Sequence, residues 1–101
     1  MEFVMTSKQR AYLKSLAMNM DSVFQIGKAS LTPEVIRSVR EAIDKRELIK
    51  GTVQKNCMDD PGEIAQILAE RTRSQLVQVI GRKIVLYKPA DDEAKRKIVL
   101  P

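Results

Sequence analysis

Gly27-Lys28-Ala29-Ser30 is the short stretch whose residue types and spacing fit a definite chemistry, the holding of an anion. Glycine lets the backbone turn sharply and approach a ligand closely, and the adjacent lysine supplies a full positive charge. The apolar run Val23-Phe24-Gln25-Ile26 precedes the four residues, and Thr32-Pro33 opens a helix just after them. Between a strand and a helix N-terminus, backbone N–H groups are unpaired and the helix dipole adds partial positive charge. The physical product is a phosphate clamp, comparable to the GXXG loop with which KH domains grip an RNA backbone. The bland alternative is a strand-to-helix turn carrying a solvated lysine. The G-x-x-x-x-G-K-[ST] spacing of a P-loop is missing, so nucleotide hydrolysis has no support.

Basic residues flank the stretch on both sides. Arg10 and Lys14 stand four apart in the preceding segment, and Arg37 and Arg40 lie in the following one. Arg37 has Glu41 and Arg40 has Asp44 at i,i+4, surface pairs worth a few tenths of a kcal/mol. Arg10 and Lys14 have no acidic neighbour at that spacing, which makes them the better candidates for an external anion. The candidate RNA-binding set is therefore Gly27, Lys28, Ala29, Ser30, Arg10, Lys14, Arg37 and Arg40. The net charge of +5 agrees, since it favours nucleic acid, a ribosome or an acidic membrane surface as partner. Residues 1–58 carry ten Lys/Arg against six Asp/Glu, and residues 59–101 eight against seven, so the excess sits in the N-terminal half.

What is missing narrows the chemistry further. The chain has no His and one cysteine, Cys57, too few ligands for a structural zinc site and no imidazole for a catalytic triad. An internal disulfide is impossible, which fits a reducing interior, and Cys57 reads as a space-filling residue near a strand end. Asp59, Asp60 and Glu63 could be imagined around a divalent metal, but they are explained as helix-start residues. With Phe3, Phe24, Tyr12 and Tyr87 as its only aromatics, the chain cannot build a stacking platform of the RRM or OB kind. Phe24 and Tyr87 read as core, and Tyr12 as a surface-edge residue. The expectation is a non-enzyme without cofactor, metal or small-molecule substrate, binding through backbone and shape. The N-terminal residues are too few and too polar for a signal peptide, and no apolar run nears the roughly 20 residues of a membrane span. A cytoplasmic monomer is expected, with translation starting at Met1 or Met5.

The elements that would position the loop follow from periodicity. Thr6 and Gln9 form a capping box, after which Leu13, Leu16, Ala17 and Met20 share a helix face with Tyr12 on its flank. Residues 23–26 read as a strand. Thr32 as N-cap and Pro33 at N1 open a second helix, with Val35, Ile36, Val39, Ala42 and Ile43 inward. Residues 48–53 read as a strand, and Asp59-Asp60-Pro61-Gly62-Glu63 starts a third helix burying Ile64, Ile67 and Leu68. Residues 75–80 and 83–87 form a hairpin around Gly81-Arg82. Ile84-Val85-Leu86-Tyr87 is apolar without alternation, as for a central strand covered on both faces. The order α-β-α-β-α-β-β, with two crossovers and a final hairpin, makes a mixed sheet in a single α/β domain of 101 residues. Residues 1–5 are expected to be a flexible N-terminus, and 90–101 a charged, mobile tail.

Phe24-Gln25-Ile26-Gly27-Lys28, Leu31-Thr32, Glu47-Leu48-Ile49-Lys50, Ser74 through Gly81 and Ile84 through Lys88 together resemble the CRM domain, and most closely the stand-alone bacterial YhbY-like proteins. The resemblance covers residues 6–89 with matching spacing, and the ending Ile98-Val99-Leu100-Pro101 is similar to that of some bacterial members. It implies a two-layer α+β fold like the C-terminal domain of bacterial translation initiation factor three, a four-stranded mixed sheet in the order 1-2-4-3. It also implies binding to ribosomal RNA in precursors of the large ribosomal subunit, as an assembly factor. The alternative function is a protein-interaction module docking on a ribosomal protein or an assembly GTPase. On the resemblance the GXXG loop falls on Gly27, Lys28, Ala29 and Ser30. The usual second glycine is Ser30, which can donate a hydroxyl hydrogen bond and lacks the steric freedom of glycine.

Overall fold

A computed structural model of the protein describes residues 5–101. Of the segment 1–5 expected to be flexible, residues 1–4, Phe3 among them, lie outside the described residues. The elements run α1 (Ser7–Ala17), β1 (Phe24–Ile26), α2 (Pro33–Arg46), β2 (Leu48–Val53), α3 (Pro61–Thr72), β3 (Gln75–Ile80) and β4 (Lys83–Tyr87). A 3₁₀ turn, Glu93–Lys95, follows in the tail.

Helix starts are written locally. The Thr6 hydroxyl accepts from the Gln9 N–H at 3.1 Å and the Gln9 carboxamide accepts from the Thr6 N–H at 3.0 Å, which completes the capping box of α1. Thr32 caps α2 through the Val35 N–H, and Asp60 caps α3 through the Glu63 N–H, each with proline in the first turn.

The four strands form one sheet in the order β1-β2-β4-β3. β1 pairs parallel with β2, while β4 runs antiparallel to both β2 and β3. The second crossover thus gives β3 the direction of β2 without making them neighbours, because β4 enters between them. Residues 84–87 of β4 are all buried, as a strand covered on both faces must be. Gly81, in the hairpin turn, has φ 55°, a conformation glycine adopts without steric cost.

Two apolar layers meet the sheet. One joins Phe24, Ile26, Ile49, Val53, Ile84 and Leu86 to Val39 and Ile43 of α2 and Ile64, Ala65 and Leu68 of α3, with Cys57 inside it. The other joins Leu48, Val77, Val85 and Tyr87 to Leu13 and Ala17 of α1. The sheet is therefore a middle layer with helical cover on both faces, one layer more than the two expected. Alternating strand residues explain this, since both parities of β4 are apolar and Leu48 of β2 joins Val85 and Tyr87 on the α1 face. Ile67, expected in the core, is 42% exposed and Ala65 is buried instead. Leu16 is also at the surface, and Met20 packs from beyond the end of α1. Gly51 admits the Phe24 ring over β2: a Cβ there would lie 2.1 Å from the ring, so no larger residue fits without moving it.

The segment read as a mobile tail is placed against the body of the domain. Ile98 and Leu100 pack with α1 and the sheet, and the Gln9 carboxamide donates to the Pro101 carbonyl at 3.4 Å. The anchor is Glu47, only 2% exposed, whose carboxylate accepts the N–H groups of Ala90 (3.0 Å), Lys97 (2.5 Å) and Ile98 (3.1 Å). Its backbone, at φ 65° and ψ −46°, lies near the strained γ-turn of positive φ. Such a conformation persists where the surroundings over-determine it, and three carboxylate hydrogen bonds do so here.

Candidate nucleic-acid interface

The loop after β1 is a closed turn. The Ser30 N–H donates to the Gly27 carbonyl at 2.9 Å, which leaves Lys28 and Ala29 at its exposed tip. Among the described residues, neither Lys28 nor Ala29 gives its backbone N–H to a protein acceptor, and the Lys28 ammonium has no carboxylate within ion-pair distance. Two free N–H groups and one unneutralised cation at one tip are what an anionic oxygen requires.

Ser30 keeps the backbone of a glycine, with φ 58°, in the left-handed region that side chains disfavour. Its hydroxyl, which the sequence offers to a phosphate, donates to the Asp59 carboxylate just ahead of α3. Serine thus maintains the turn geometry by tying the loop to the neighbouring helix start, and the hydroxyl is already in use. The helix terminus contributes less than its position suggests. Thr32 takes the Val35 N–H, Pro33 has no N–H, and Glu34 brings a carboxylate into the first turn of α2. An anion held at this turn would rest on the turn amides and Lys28 more than on the α2 dipole.

The expected flanking cations do not converge. Arg37 is exposed on α2 with no partner among the described residues, but Arg40 spans to α3, donating to the Arg71 carbonyl at 2.8 Å. Neither makes its i,i+4 ion pair; Asp44 instead binds Lys88 at 2.9 Å. Arg10 and Lys14 lie on α1, across the sheet from α2. Arg10 is spent structurally: one guanidinium nitrogen donates to the Leu76 carbonyl at 2.6 Å and the Val77 carbonyl at 2.9 Å, where β3 bulges. Lys14 is half-buried and unpaired among the described residues. No sequence signal marks Arg10 for the sheet, because its partners are backbone atoms 66 and 67 residues away.

Three connections meet at the loop end of the sheet. The Gln54 N–H donates to the Ile26 carbonyl at 2.8 Å, and the Val53 N–H to the Arg82 carbonyl at 2.7 Å. Arg82 in turn donates to the Gln54 carbonyl at 2.9 Å. Lys55, Arg82 and Lys83 are therefore at the same end as Lys28, exposed and without a carboxylate partner among the described residues. Sequence reading missed them because they and Lys28 sit in three segments that only strand pairing brings together.

Asp59 and Asp60 serve Ser30 and the α3 N-cap. Among the described residues no His, Cys, Asp or Glu groups cluster as a metal site, and no helix is long and apolar enough to cross a membrane.

Comparison with known proteins places the whole chain beside others. A model of the CRS1/YhbY (CRM) domain matches residues 5–88. A Bacillus subtilis strain 168 protein named as the probable RNA-binding protein YqeI is 41% identical over 98 residues, covering 97% of this chain and 100% of its own length. A Haemophilus influenzae protein named RNA-binding protein is 32% identical over 97 residues, covering 96% of this chain and 95% of its own. The solution structure of a hypothetical protein from Staphylococcus aureus superposes with a TM-score of 0.81 at 45% identity, over 97% of this chain and 100% of that one.

Proposed function

The chain belongs to the CRS1/YhbY (CRM) domain family, and on that premise we propose that it is a non-catalytic RNA-binding protein whose clamp is the turn Gly27-Lys28-Ala29-Ser30. The observation that carries the reading is the tip of that turn, two unpaired N–H groups beside an unneutralised lysine at the place of the family's GXXG loop. The amides would hold phosphate oxygens and Lys28 would add charge, with Arg37 the nearest of the expected cations on α2. Arg40 and Arg10 act first as structural ties, and Lys14 lies with α1 on the opposite face. The ligand is ribosomal RNA in precursors of the large subunit, where a small basic domain that recognises backbone and shape can dock on structured RNA during assembly. Relatives named as RNA-binding proteins support the RNA part of this reading.

Lys28→Glu tests the clamp, because the side chain is exposed and its replacement disturbs no packing. Affinity for a ribosomal RNA fragment should fall at least about tenfold, and the dependence of log K on log salt should flatten by roughly one. Thermal unfolding should be unchanged. Equal affinity in the variant would remove the loop from the interface. The assembly role is tested by crosslinking in cells with sequencing of the bound RNA, beside sedimentation with ribosomal particles. Enrichment of messenger RNA without ribosomal RNA would overturn it.

A further inference from the structure

Strand register places Gln25 opposite Thr52, Thr52 opposite Lys83, and Lys83 opposite Ile80. Those four residues form a row across the whole sheet, on the face that α1 covers farther down. Three strand spacings make the row about 14 Å long, the span of a few nucleotides. α1 stops short of it: the Lys50 ammonium, one step down the same face of β2, donates to the carbonyl of Ala17, the last residue of the helix, at 3.2 Å. Gln25 and Lys83 are consequently exposed, Thr52 is half-buried and Ile80 is 58% exposed.

The row has the chemistry of a nucleic-acid surface more than that of a protein-docking face. Lys83 donates to the Thr52 hydroxyl at 2.8 Å, which leaves its other ammonium protons for a ligand. The Thr52 hydroxyl also pairs with that of Ser22. Gln25 presents an amide able to donate and accept, and Ile80 is the one apolar member. No carboxylate pairs with Lys83, Arg82 or Lys50 among the described residues. Asp59 and Asp60 serve the α3 side of the sheet, and Asp21, exposed near the row, makes no ion pair there. The row is also joined to the clamp. Gln54 donates to the Gln25 carboxamide oxygen, and its own amide oxygen lies 2.9 Å from where a Cβ on Gly27 would stand.

We propose that a single-stranded segment of RNA leaving the clamp lies along the row Gln25-Thr52-Lys83-Ile80. Lys83 takes a phosphate, Gln25 and Thr52 meet base edges or ribose hydroxyls, and Ile80 packs on a sugar or base face. This rests on the reading of the Gly27 turn as the phosphate clamp, and it gives the protein a means of preferring a hairpin with an unpaired flank over a blunt one.

The test uses one RNA hairpin in two forms, blunt and with an unpaired extension, and three proteins: wild type, Gln25→Ala/Lys83→Ala and Lys28→Glu. Wild type should bind the extended RNA more tightly. The row variant should lose about tenfold on the extended RNA and less than twofold on the blunt one, with an unchanged melting temperature. Lys28→Glu should lose affinity for both. A row variant that binds the extended RNA as wild type does, or weakens equally on both forms, overturns the row and leaves the clamp standing as long as Lys28→Glu is defective. Wild-type affinity of Lys28→Glu for both RNAs would instead sink the clamp. Loss of ribosomal-particle association in the row variant, with both RNA affinities intact, would assign the face to a protein partner and also overturn the inference.

Discussion

Ser30 holds a left-handed backbone that costs a non-glycine residue on the order of 1 kcal/mol, and its bond to Asp59 offsets part of that cost. The two effects separate by substitution. Ser30→Gly removes the strain and the hydrogen bond together, so its stability should stay within about 1 kcal/mol of wild type. Ser30→Val keeps a side chain in the strained region, adds β-branching and loses the bond. It should cost roughly 2 kcal/mol in urea unfolding. A valine variant as stable as wild type would mean that the positive φ is not maintained in solution. The exposed Lys28 shows the opposite case, a residue with nothing structural to do, whose change should register in binding alone.

Among the elements, β3 is the edge strand most in need of protection. Unpaired edge carbonyls invite pairing with another chain, and a bulge is one of the ways edges are blunted. Between Leu76 and Gln78 the register shifts, and Arg10 of α1 reaches across to cap the Leu76 and Val77 carbonyls. A cation thus ties the helix to the strand, which explains why an arginine on the outer surface of α1 is only partly exposed. Arg10→Ala should destabilise the fold by about 1–2 kcal/mol, measured by urea unfolding. Its effect on RNA affinity should be much smaller than that of Lys28→Glu. The reverse pattern, full stability with binding lost, would return Arg10 to the interface.

At the scale of the whole molecule, the C-terminal segment acts as a strap across the face that α1 leaves partly open. Deleting residues 91–101 exposes apolar surface under Ile98 and Leu100 and strips the buried Glu47 carboxylate of two N–H partners. The loss should be about 2–4 kcal/mol by urea unfolding, and the Lys97 and Ile98 amides of the full chain should show slowed hydrogen exchange. Equal stability of the shortened chain, with unprotected amides, would describe a detached tail. Beneath the strap, burial and the nearby Glu47 carboxylate push the Tyr87 phenol above its ordinary value of 10.0, with Arg96 opposing. A raised folded value means that the unfolded chain ionises first. This contribution is complete below about pH 10 and lost as pH rises through the folded value. Tyr87→Phe should therefore lose less stability than wild type over that alkaline range, compared by urea midpoints at each pH.

Local signals were legible in the residues themselves. Capping by Thr6, Thr32 and Asp60, the proline starts, the Gly81-Arg82 turn and the uninterrupted apolar run of β4 depend on near neighbours, so the sequence by itself determined where elements begin and that one strand is central. The sheet order came with the family resemblance and is the order observed. Ile67 was misplaced because helical spacing defines a stripe but not how far the neighbouring layer covers it. The turn at Gly27–Ser30 was also visible, as a glycine and a lysine between a strand and a helix. Its surroundings were not. Arg10 faces the β3 carbonyls, Ser30 gives its hydroxyl to Asp59, and Gln25, Thr52, Lys83 and Ile80 align in a row. Only tertiary structure decided these, because each partner is remote in the chain and strand register, which no local pattern encodes, sets the distance between them.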